Sequence, residues 1–527
     1  MKDFYYDYYS LKNTNLDDWS VNFKWPVSFL ETQEIIKCYI EIFKKIINEN
    51  RYAQFNDLLY IYNHTWNPYI LFTNYLLLCK RLKKNNIIFS NKSKFFSYIK
   101  FKKKFPIEVE NFEWSTKHIR IRKLKDKVKS FFFNIRLSQK NIFYPKNEVY
   151  CLNDNNLLEM KYIRENKEYI KIFSPDLIFT NYKNIKIKVS ERNQVDEFVN
   201  FIDKICKKKM LEIVKDKIPN FIFSDIKNYQ TEYLLKIYKI FKALEKNPEI
   251  KKIKKIYVSA PKTFVKALSV FLKNRSIEIV GVPHGYFFCH SDSYRHHITE
   301  FLSVTSFLVY KKSHIKRFEE IQKKIPPLNK SDIKFVSQET DKFQQFEKKY
   351  TFKIPKKINS VMLVELQLWC DDIRLEIPET MIVYNFYYNL CKTLSEKNYQ
   401  FFFKKRPKSW GWDNVNIFKK FKNFEVVEGD LANPKIMGLA DTIIFQYGLS
   451  STFIPLISSN KNLIYTDCGW EKWNPEIYKL LKKRCSILQC WFNKKNKMCF
   501  SEDKLITILE TKPSIPDKTL FRKYLSE

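Results

Sequence analysis

The sequence predicts an α/β protein with two Rossmann-like units and a helix-rich N-terminal region, and three observations lead to this prediction. The chain has 527 residues, several times the length that one hydrophobic core requires. From about residue 255 to residue 470, short apolar strands alternate with amphipathic helices. A polar stretch with three prolines, residues 325–357, interrupts that alternation. Because strands that alternate with helices form parallel sheets, we expect one such sheet on each side of the interruption.

The composition excludes general disorder but leaves open which partner the basic surface binds. Hydrophobic residues make up 45% of the chain and aromatic residues 17%, which supplies enough apolar side chain to form cores. The formal net charge is +37, and lysine is spread along the whole chain. Runs of lysine are either solvated surfaces or contacts to a polyanion. No zinc finger, RNP signature or basic zipper predicts specific nucleic-acid binding, so an anionic membrane surface fits better.

The targeting and cysteine patterns predict a cytoplasmic protein. No stretch reaches the ~18 apolar residues of a membrane span, and the first residues lack the pattern of a signal peptide. The eleven cysteines include no CxxC pair, so we expect reduced thiols. Peripheral association with the inner face of a membrane is compatible with this location.

The N-terminal 250 residues are predicted to contain mainly helices. Apolar residues recur every three or four positions in four segments, which are residues 32–50, 66–84, 194–214 and 230–244. Alternating β-branched and aromatic residues predict three strands, over residues 86–90, 168–174 and 185–190.

A βαβ unit follows these helices. Residues 255–260, 262–273 and 276–282 predict a strand, a helix and a strand with short connections, which form a parallel pair. A further strand over residues 306–310 leads into a helix that starts near Ser313. We assign these elements to a first domain, residues 1–330, on the acceptor side of the protein.

The second domain, residues 355–500, is predicted from five strands with helices between them. The strands cover residues 360–366, 400–404, 424–427, 442–446 and 463–466, and the helices cover residues 380–397, 414–421, 434–440 and 451–458. That order is typical of a doubly wound domain that binds a nucleotide. Residues 501–527 form a tail that can cross back onto the first domain.

Glycine marks the predicted strand ends of the second half. The chain has only seven glycines, and none precedes Gly281. Glycine permits a close approach of a ligand to the backbone, and open α/β sheets bind ligands at the carboxyl ends of their strands. The glycines are turn residues, helix caps or ligand-binding positions, and their distribution favours the second half as the site of the chemistry.

A basic loop follows the strand over residues 400–404. Residues 404–408 carry four cations around Pro407. Arginine binds phosphate through two parallel hydrogen bonds, so Lys405 and Arg406 are candidates to bind the phosphate of a nucleotide. The alternative is a basic surface loop in an already basic protein.

A glycine and three hydroxyl residues precede a predicted apolar helix. Gly448 allows a sharp turn after the strand, and Ser450, Ser451 and Thr452 follow it. The first N–H groups of a helix have no partner within the helix and bind phosphate well. We therefore expect this loop to bind the donor phosphate. The alternative is that one of the hydroxyls is an ordinary helix cap.

Three carboxylates after predicted strands are weaker candidates. Glu428 can bind a nucleotide ribose, or its loop can simply begin a helix. Glu365 and Asp371 follow the first strand of the second domain. These two can act as bases, hold an acceptor hydroxyl or be solvated.

His284 is the candidate base of the first domain. It lies between Pro283 and Gly285 at the end of a predicted buried strand, where an exposed imidazole can accept a proton near neutral pH. A buried structural histidine is the ordinary alternative. The neighbouring histidines and Cys289 match no zinc spacing, so we predict no metal site.

The order of these motifs resembles that of the GT-B glycosyltransferases of bacterial surface-polysaccharide assembly, which have two Rossmann-like domains. The groups concerned are related to CDP-glycerol glycerophosphotransferases and to capsular sialyl- and Kdo-transferases. Those families carry a His-Gly motif, then a basic or His-Pro motif, then a Ser-Ser-Thr motif. Here His284-Gly285, Arg406-Pro407 and residues 450–452 stand in these places, and the resemblance covers residues 255–470.

The resemblance implies a role for each motif. It implies that Arg406 and residues 450–452 bind the donor phosphate and that His284 is a base or an acceptor contact. Arg406 stands where a histidine is common, and arginine cannot donate a proton to a leaving group. Protonation of the leaving group by this residue is therefore not expected.

The implied activity is a metal-independent glycosyltransferase that uses no cofactor besides its nucleotide-sugar donor. It moves a sugar, or a polyol phosphate, from a CMP- or CDP-linked donor to a glycan or lipid-linked glycan of a capsule or lipopolysaccharide. Two alternatives stay open. A sugar-nucleotide epimerase of the same two-domain form would need no acceptor, and a non-catalytic basic protein that binds nucleic acid or membrane would not depend on His284.

Overall fold

The structure is a computed structural model, and it describes most of the second half of the chain and the helices of the first half. The described residues are 4–5, 11, 14–47, 49, 51, 55, 68–82, 87–88, 94–107, 128–130, 147–151, 168–172, 182, 185–248, 250–259, 263–283, 290–291, 301, 303–324, 333–337, 343–366, 379–405, 418–448, 450 and 452–526. The predicted site residues His284, Asp371, Arg406 and Ser451 lie outside them.

The first half of the chain supplies an N-terminal region and the first sheet with its helices. The N-terminal region comprises β1 (Phe4–Tyr5), α1 (Leu16–Asn22), α2 (Phe29–Ile47), α3 (Pro68–Leu82), β2 (Ile87–Ile88) and α4 (Lys94–Phe101). The first sheet and its helices follow as β3 (Asn147–Cys151), β4 (Glu168–Ile172), α5 (Val189–Val214), α6 (Asn220–Glu245), β5 (Lys255–Ser259), α7 (Thr263–Lys273), β6 (Glu278–Val282), β7 (Ser306–Val309), α8 (Lys312–Lys324) and β8 (Lys334–Ser337).

The second half contains the second sheet, its helices and the tail. In chain order the elements are α9 (Phe346–Lys349), β9 (Ser360–Val364), α10 (Thr380–Glu396), β10 (Gln400–Lys404), β11 (Phe424–Val427), α11 (Pro434–Met437), β12 (Thr442–Phe445), α12 (Phe453–Ser458), β13 (Asn462–Asp467), α13 (Pro475–Arg484), β14 (Ser486–Phe492), β15 (Met498–Phe500), α14 (Glu502–Glu510) and α15 (Thr519–Phe521).

Both main sheets are parallel and doubly wound. The first sheet has the strand order β4-β3-β5-β6-β7-β8, and all its pairs are parallel. The second has the order β11-β10-β9-β12-β13-β14-β15, in which β15 alone is antiparallel. Counted from β9, its parallel strands follow the Rossmann order 3-2-1-4-5-6. The predicted fold class, two Rossmann-like units with a helix-rich N-terminal region, is confirmed.

The strand order places the switch point of the second sheet between β9 and β12. These two strands are neighbours although β10 and β11 come between them in the chain. The connections from β9 and from β12 lead to strands on opposite sides of the pair, and in open α/β sheets such a switch point opens a crevice at the carboxyl ends of the strands. This crevice is where an open α/β sheet binds its ligand.

The strand predicted over residues 185–190 is wrong. Residues 185–188 are extended but belong to no strand of the described chain, and α5 begins at Val189. The backbone N–H of Lys188 donates to Glu191 Oε2 at 2.8 Å, which caps the helix start. An alternating pattern over six residues is compatible with a strand or with the extended residues before a helix. The capping hydrogen bond and the long amphipathic run of α5 favour the helix.

The stretch predicted as a boundary, residues 325–357, contains regular structure. Its strand β8 pairs in parallel with β7 and forms the edge of the first sheet. Lys334 is exposed whereas Phe335 is buried, as expected for an edge strand with one wet face. β14 and β15 were also not predicted, and the helix predicted to start at residue 451 begins at Phe453.

Two hydrophobic cores flank the second sheet. The larger one runs from the N-terminal helices and the first sheet to the face of the second sheet that packs against α10. The smaller one lies on the opposite face, under α12, α13 and α15. Among the described helices, none combines the length and the apolar character that a bilayer crossing requires.

The first unit is the first sheet with its helices, and the second unit is the second sheet with its helices. The segment around α1 packs against the second unit. The ring of Trp19 meets that of Tyr388 in α10 edge to face, with centroids 6.2 Å apart. Further along, the backbone N–H of Trp25 donates to the carbonyl of Lys495 at 2.9 Å. These contacts join the N-terminal region to the unit that is most distant from it in sequence.

The tail contacts the first unit. The ring of Tyr524 stacks on His314 of α8, with centroids 6.2 Å apart. Near it, Arg522 Nε lies 2.9 Å from Glu347 Oε1 in α9. The tail therefore touches the helix after β7 and the connection between the two sheets.

Candidate functional site

A row of polar side chains crosses the carboxyl edge of the second sheet. The strand register aligns Lys404 with Val364 and with Val427, and Phe445 with Tyr465. One residue further along each strand, the aligned residues are Glu428, Lys405, Glu365, Gln446 and Thr466, which we call the carboxyl-edge row. Aligned residues of parallel neighbours point to the same face and lie about 5 Å apart. The row passes directly over the switch point between β9 and β12.

Most of the carboxyl-edge row is buried. Glu365 is 5% exposed, Lys405 4% and Gln446 2%, whereas Glu428 is exposed. The row faces the side of the sheet that packs on α10, because Leu363 and Phe403, two residues earlier on their strands, belong to that core. Polar and charged groups are buried at a cost unless partners satisfy them, so the buried members of this row require polar partners.

The basic loop is only partly a surface loop. Lys404 and Lys405 are both buried, and Lys404 Nζ donates to the backbone carbonyl of Lys405. The backbone N–H of Lys405 donates to the Val427 carbonyl at 3.0 Å, which extends the pairing of β10 with β11. The alternative of a solvated basic surface therefore does not hold for these two lysines.

Gln446 is the member of the row whose side chain has unmet hydrogen-bonding capacity. Neither its Nε2 nor its Oε1 has a partner among the described residues, although both atoms are buried. The backbone carbonyl of Gln446 is occupied, since it accepts from Trp470 Nε1 at 3.2 Å. A buried amide without partners costs about 1–3 kcal/mol, and such a group in a folded protein calls for an explanation.

The open backbone expected at Gly448 is not found. Its N–H donates to Glu471 Oε2 at 2.8 Å, so this amide is already used. A Cβ at this position would lie 2.4 Å from the indole of Trp473. The glycine is required because Trp473 packs on the backbone, which is a packing reason rather than the approach of a ligand.

Ser450 and Thr452, two hydroxyl residues after Gly448, bond to each other. Ser450 Oγ and Thr452 Oγ1 are 2.8 Å apart, and the Phe453 N–H donates to the Ser450 carbonyl at 2.9 Å. Thr452 is the N-cap of α12, and its side chain makes no capping hydrogen bond. Both side chains are half-buried and lie at the start of a six-residue helix.

The chain after β6 reaches the second unit at His290. The backbone N–H of Asn474 donates to the His290 carbonyl at 2.9 Å, and Ser291 forms an isolated antiparallel bridge with Trp473. The imidazole, 1% exposed, packs against two rings, with centroids 5.6 Å from Phe453 and 5.2 Å from Trp473. Residues 290–291, which follow β6 in the chain, therefore lie against the second unit.

Glu471 connects the segment at His290 with the loop at Gly448. Its Oε1 lies 3.8 Å from His290 Nε2, and both side chains are almost fully buried. Its Oε2 accepts from the Gly448 N–H and, at 3.3 Å, from Tyr465 OH. Trp473 adds a second link, because its Nε1 donates to the same Tyr465 hydroxyl at 2.9 Å.

The structure thus brings some predicted residues together and separates others. Lys405, Glu365 and Glu428 share the carboxyl-edge row, and Gly448 and Ser450 come two and four residues after its member Gln446. His284, Asp371, Arg406 and Ser451 lie outside the described residues, so their roles stay predictions.

Three residues of this region were not predicted as members of the site. Gln446 carries the signal of a polar residue that directly follows a buried strand. Glu471 and His290 carry no comparable signal, because neither directly follows a strand. Their contact depends on how the two units pack.

The chain is distantly similar to several solved structures. Methanocaldococcus jannaschii UDP-GlcNAc 2-epimerase in complex with UDP-GlcNAc and UDP has a TM-score of 0.35 and 10% identity, over 72% of this chain and 97% of that chain. A putative UDP-N-acetylglucosamine 2-epimerase from Listeria monocytogenes has a TM-score of 0.36 and 7% identity, over 72% and 94%. Arabidopsis thaliana UGT89C1 complexed with UDP-L-rhamnose has a TM-score of 0.33 and 10% identity, over 74% and 89%.

Likenesses as distant as these assign neither a family nor an activity to this chain. Neither a protein-family model nor a curated protein matches the sequence. The functional conclusion therefore depends on the residues of the carboxyl-edge row and on the motifs of the sequence.

Proposed function

We propose that this protein is a glycosyltransferase that binds a nucleotide-linked donor at the carboxyl-edge row and transfers its sugar, or a polyol phosphate, to a surface-glycan acceptor. The observation that carries the proposal is the buried row Lys405–Glu365–Gln446 at the switch point of a sheet with Rossmann strand order. Such switch points are where open α/β sheets bind nucleotides.

Three members of the row each supply a different kind of polar contact to a nucleotide-linked donor. Lys405 supplies a cation near the expected position of the phosphate, in a buried setting that strengthens electrostatic attraction. Glu365 supplies a carboxylate that can accept from donor or acceptor hydroxyls. Gln446 supplies a donor and an acceptor whose capacity no described group uses.

The reaction is proposed as base-assisted attack of an acceptor hydroxyl on the donor, with the nucleotide phosphate as leaving group. His284, on the segment between β6 and His290, is the proposed base or acceptor contact. Arg406, next to Lys405, is proposed to stabilise the departing phosphate. The choice of a cytidine nucleotide, and of a capsule or lipopolysaccharide acceptor, rests only on the order of the sequence motifs.

The proposal is tested with nucleotides and a Gln446→Leu variant. We expect CMP, CDP, UDP or GDP to raise the melting temperature of the protein, and Gln446→Leu to weaken that nucleotide's affinity at least about tenfold. The variant should fold as stably as wild type, because leucine has no polar group to leave unsatisfied. Calorimetric titration measures the affinity, and differential scanning fluorimetry the stability.

The matched control is Gln489→Leu on β14. That glutamine is exposed and donates to the Asp467 carbonyl, so we expect unchanged nucleotide affinity. Binding of none of the four nucleotides, or equal affinity in Gln446→Leu, contradicts the proposed site. Turnover of a bound nucleotide sugar without any acceptor would instead indicate an epimerase.

A further inference from the structure

We infer that Glu471 is a positioning residue that fixes the loop after Gln446 against the first unit, so that the donor site is complete only when residues 290–291 are docked. The inference rests on the proposed donor site and adds a residue and a contact between units to it. We call residues 471–474, which lie between β13 and α13, the bracket, and they make these contacts.

One side of the bracket holds the loop at Gly448. The Glu471 carboxylate accepts the Gly448 N–H at 2.8 Å, and the Trp473 indole covers the same residue so closely that no Cβ would fit. A hydrogen bond from a backbone amide to a buried carboxylate is one of the stronger kinds. Gly448 is two residues from Gln446, so the carboxylate helps to set the direction in which the chain leaves the carboxyl-edge row.

The other side of the bracket holds the first unit. The His290 imidazole packs against both Phe453 and Trp473, with Nε2 3.8 Å from Glu471 Oε1. The backbone joins the bracket as well, through the Asn474 N–H to the His290 carbonyl and through the Ser291–Trp473 bridge. Asn474 also caps α13 with its side chain, so the docking point belongs to a rigid helix start.

Both sides meet in the same two side chains. Glu471 uses Oε2 toward Gly448 and presents Oε1 toward His290. Trp473 covers Gly448 with its six-membered ring, and its indole lies 5.2 Å from the His290 imidazole at an interplanar angle of 40°. Loss of either contact removes a support of the other, and this is a physical route for coupling between the two units.

Hydrogen exchange of the nucleotide-free protein tests the inference without any ligand. In Glu471→Ala we expect the peptides that contain Gly448 and residues 290–291 to exchange faster together, on the order of tenfold or more. Peptides from β9 and β10 should exchange as in wild type. Glu471→Gln keeps an oxygen that accepts from Gly448 and should restore slow exchange of that peptide.

The matched control is Lys472→Ala, an exposed residue of the same bracket, which should leave both peptides unchanged. Faster exchange at only one of the two peptides, or across the whole protein, overturns the inference. If the wild-type protein binds none of the nucleotides but Glu471→Ala still speeds exchange of both peptides, the proposed function is contradicted and the coupling between the units stands. If a nucleotide does bind, Glu471→Ala should weaken its affinity and Glu471→Gln should largely recover it. Equal affinity in wild type and Glu471→Ala also overturns the inference.

Discussion

Gly448 lies three residues after the end of β12 and directly under the indole of Trp473. A Cβ there would approach two ring carbons of Trp473 to 2.4 and 2.6 Å, and an aromatic ring held between His290 and Tyr465 cannot move aside without losing its contacts. Because Gly448 has no side chain, Trp473 can pack directly on its backbone.

Gly448→Ala should therefore destabilise the protein, by about 1–3 kcal/mol as for other overpacked sites. The same substitution in a Trp473→Leu background should cost clearly less, because the smaller side chain vacates the position of the clashing ring. A double-mutant cycle from denaturant unfolding of the four proteins measures the coupling. Equal costs in both backgrounds would show that Trp473 is not what excludes a side chain at Gly448.

Arg484 shows how a single buried charge organises a turn. Its guanidinium is buried at the end of α13 and donates to the carbonyls of Leu456, Ile457 and Ser459, with the last bond 2.8 Å long. Leu456 and Ile457 lie in the last turn of α12, Ser459 directly follows that helix, and the Leu456 carbonyl also accepts from the Ser459 N–H at 3.1 Å. The side chain therefore closes the connection from α12 to β13.

At the scale of elements, a buried histidine of α8 contacts the tail. His314 of α8 is covered by Tyr524, and burial lowers the pKa of His314 from 6.5 to about 4, against a smaller opposing contribution from the Tyr524 backbone. The folded protein therefore binds this proton less readily than the unfolded chain. Stability from this site is fully present above pH 6.5 and is lost as the pH falls toward 4.

The tail should consequently loosen from α8 in mild acid. We expect hydrogen exchange in residues 511–526, corrected for the intrinsic pH dependence of exchange, to accelerate between about pH 7 and pH 5 in wild type. His314→Phe keeps a ring beside Tyr524 but has no proton to bind, so its tail should exchange at a corrected rate independent of pH in that range. The same acceleration in the variant would assign the effect to another group.

At the scale of the whole molecule, the segment around α1 joins the N-terminal region to the second unit. Trp19, Phe23 and Trp25 are buried there, and Ser20 Oγ donates to Asn389 in α10 at 2.8 Å. Aromatic side chains supply much of the energy of such contacts. The second unit is therefore packed against residues from both halves of the chain.

Trp19→Ala should lower the free energy of unfolding by about 3–5 kcal/mol, the usual cost of removing a buried tryptophan side chain. It should also make residues 14–28 accessible to limited proteolysis. Val21→Ala on the same helix is the control, since Val21 is 67% exposed and should change stability by less than about 0.5 kcal/mol. If both variants behave alike, α1 does not contribute to holding the units together.

The sequence by itself determined the fold class and the edge of the sheet at which to look for chemistry. Strands such as Gln400–Lys404 and Phe424–Val427 were predicted to the residue, because the alternation of elements is set by local preferences that a single segment expresses. Lys405 and Glu365 could be named in advance because they directly follow such strands.

Only the tertiary structure decided which of these residues are neighbours and which others join them. The strand order puts β9 beside β12, so Glu365 and Gln446 are adjacent although the chain separates them widely. Likewise, His290 meets Glu471 only because two units pack together. Contacts of this kind depend on the packing of whole sheets, whose free energy no local segment carries, and so no local pattern could predict them.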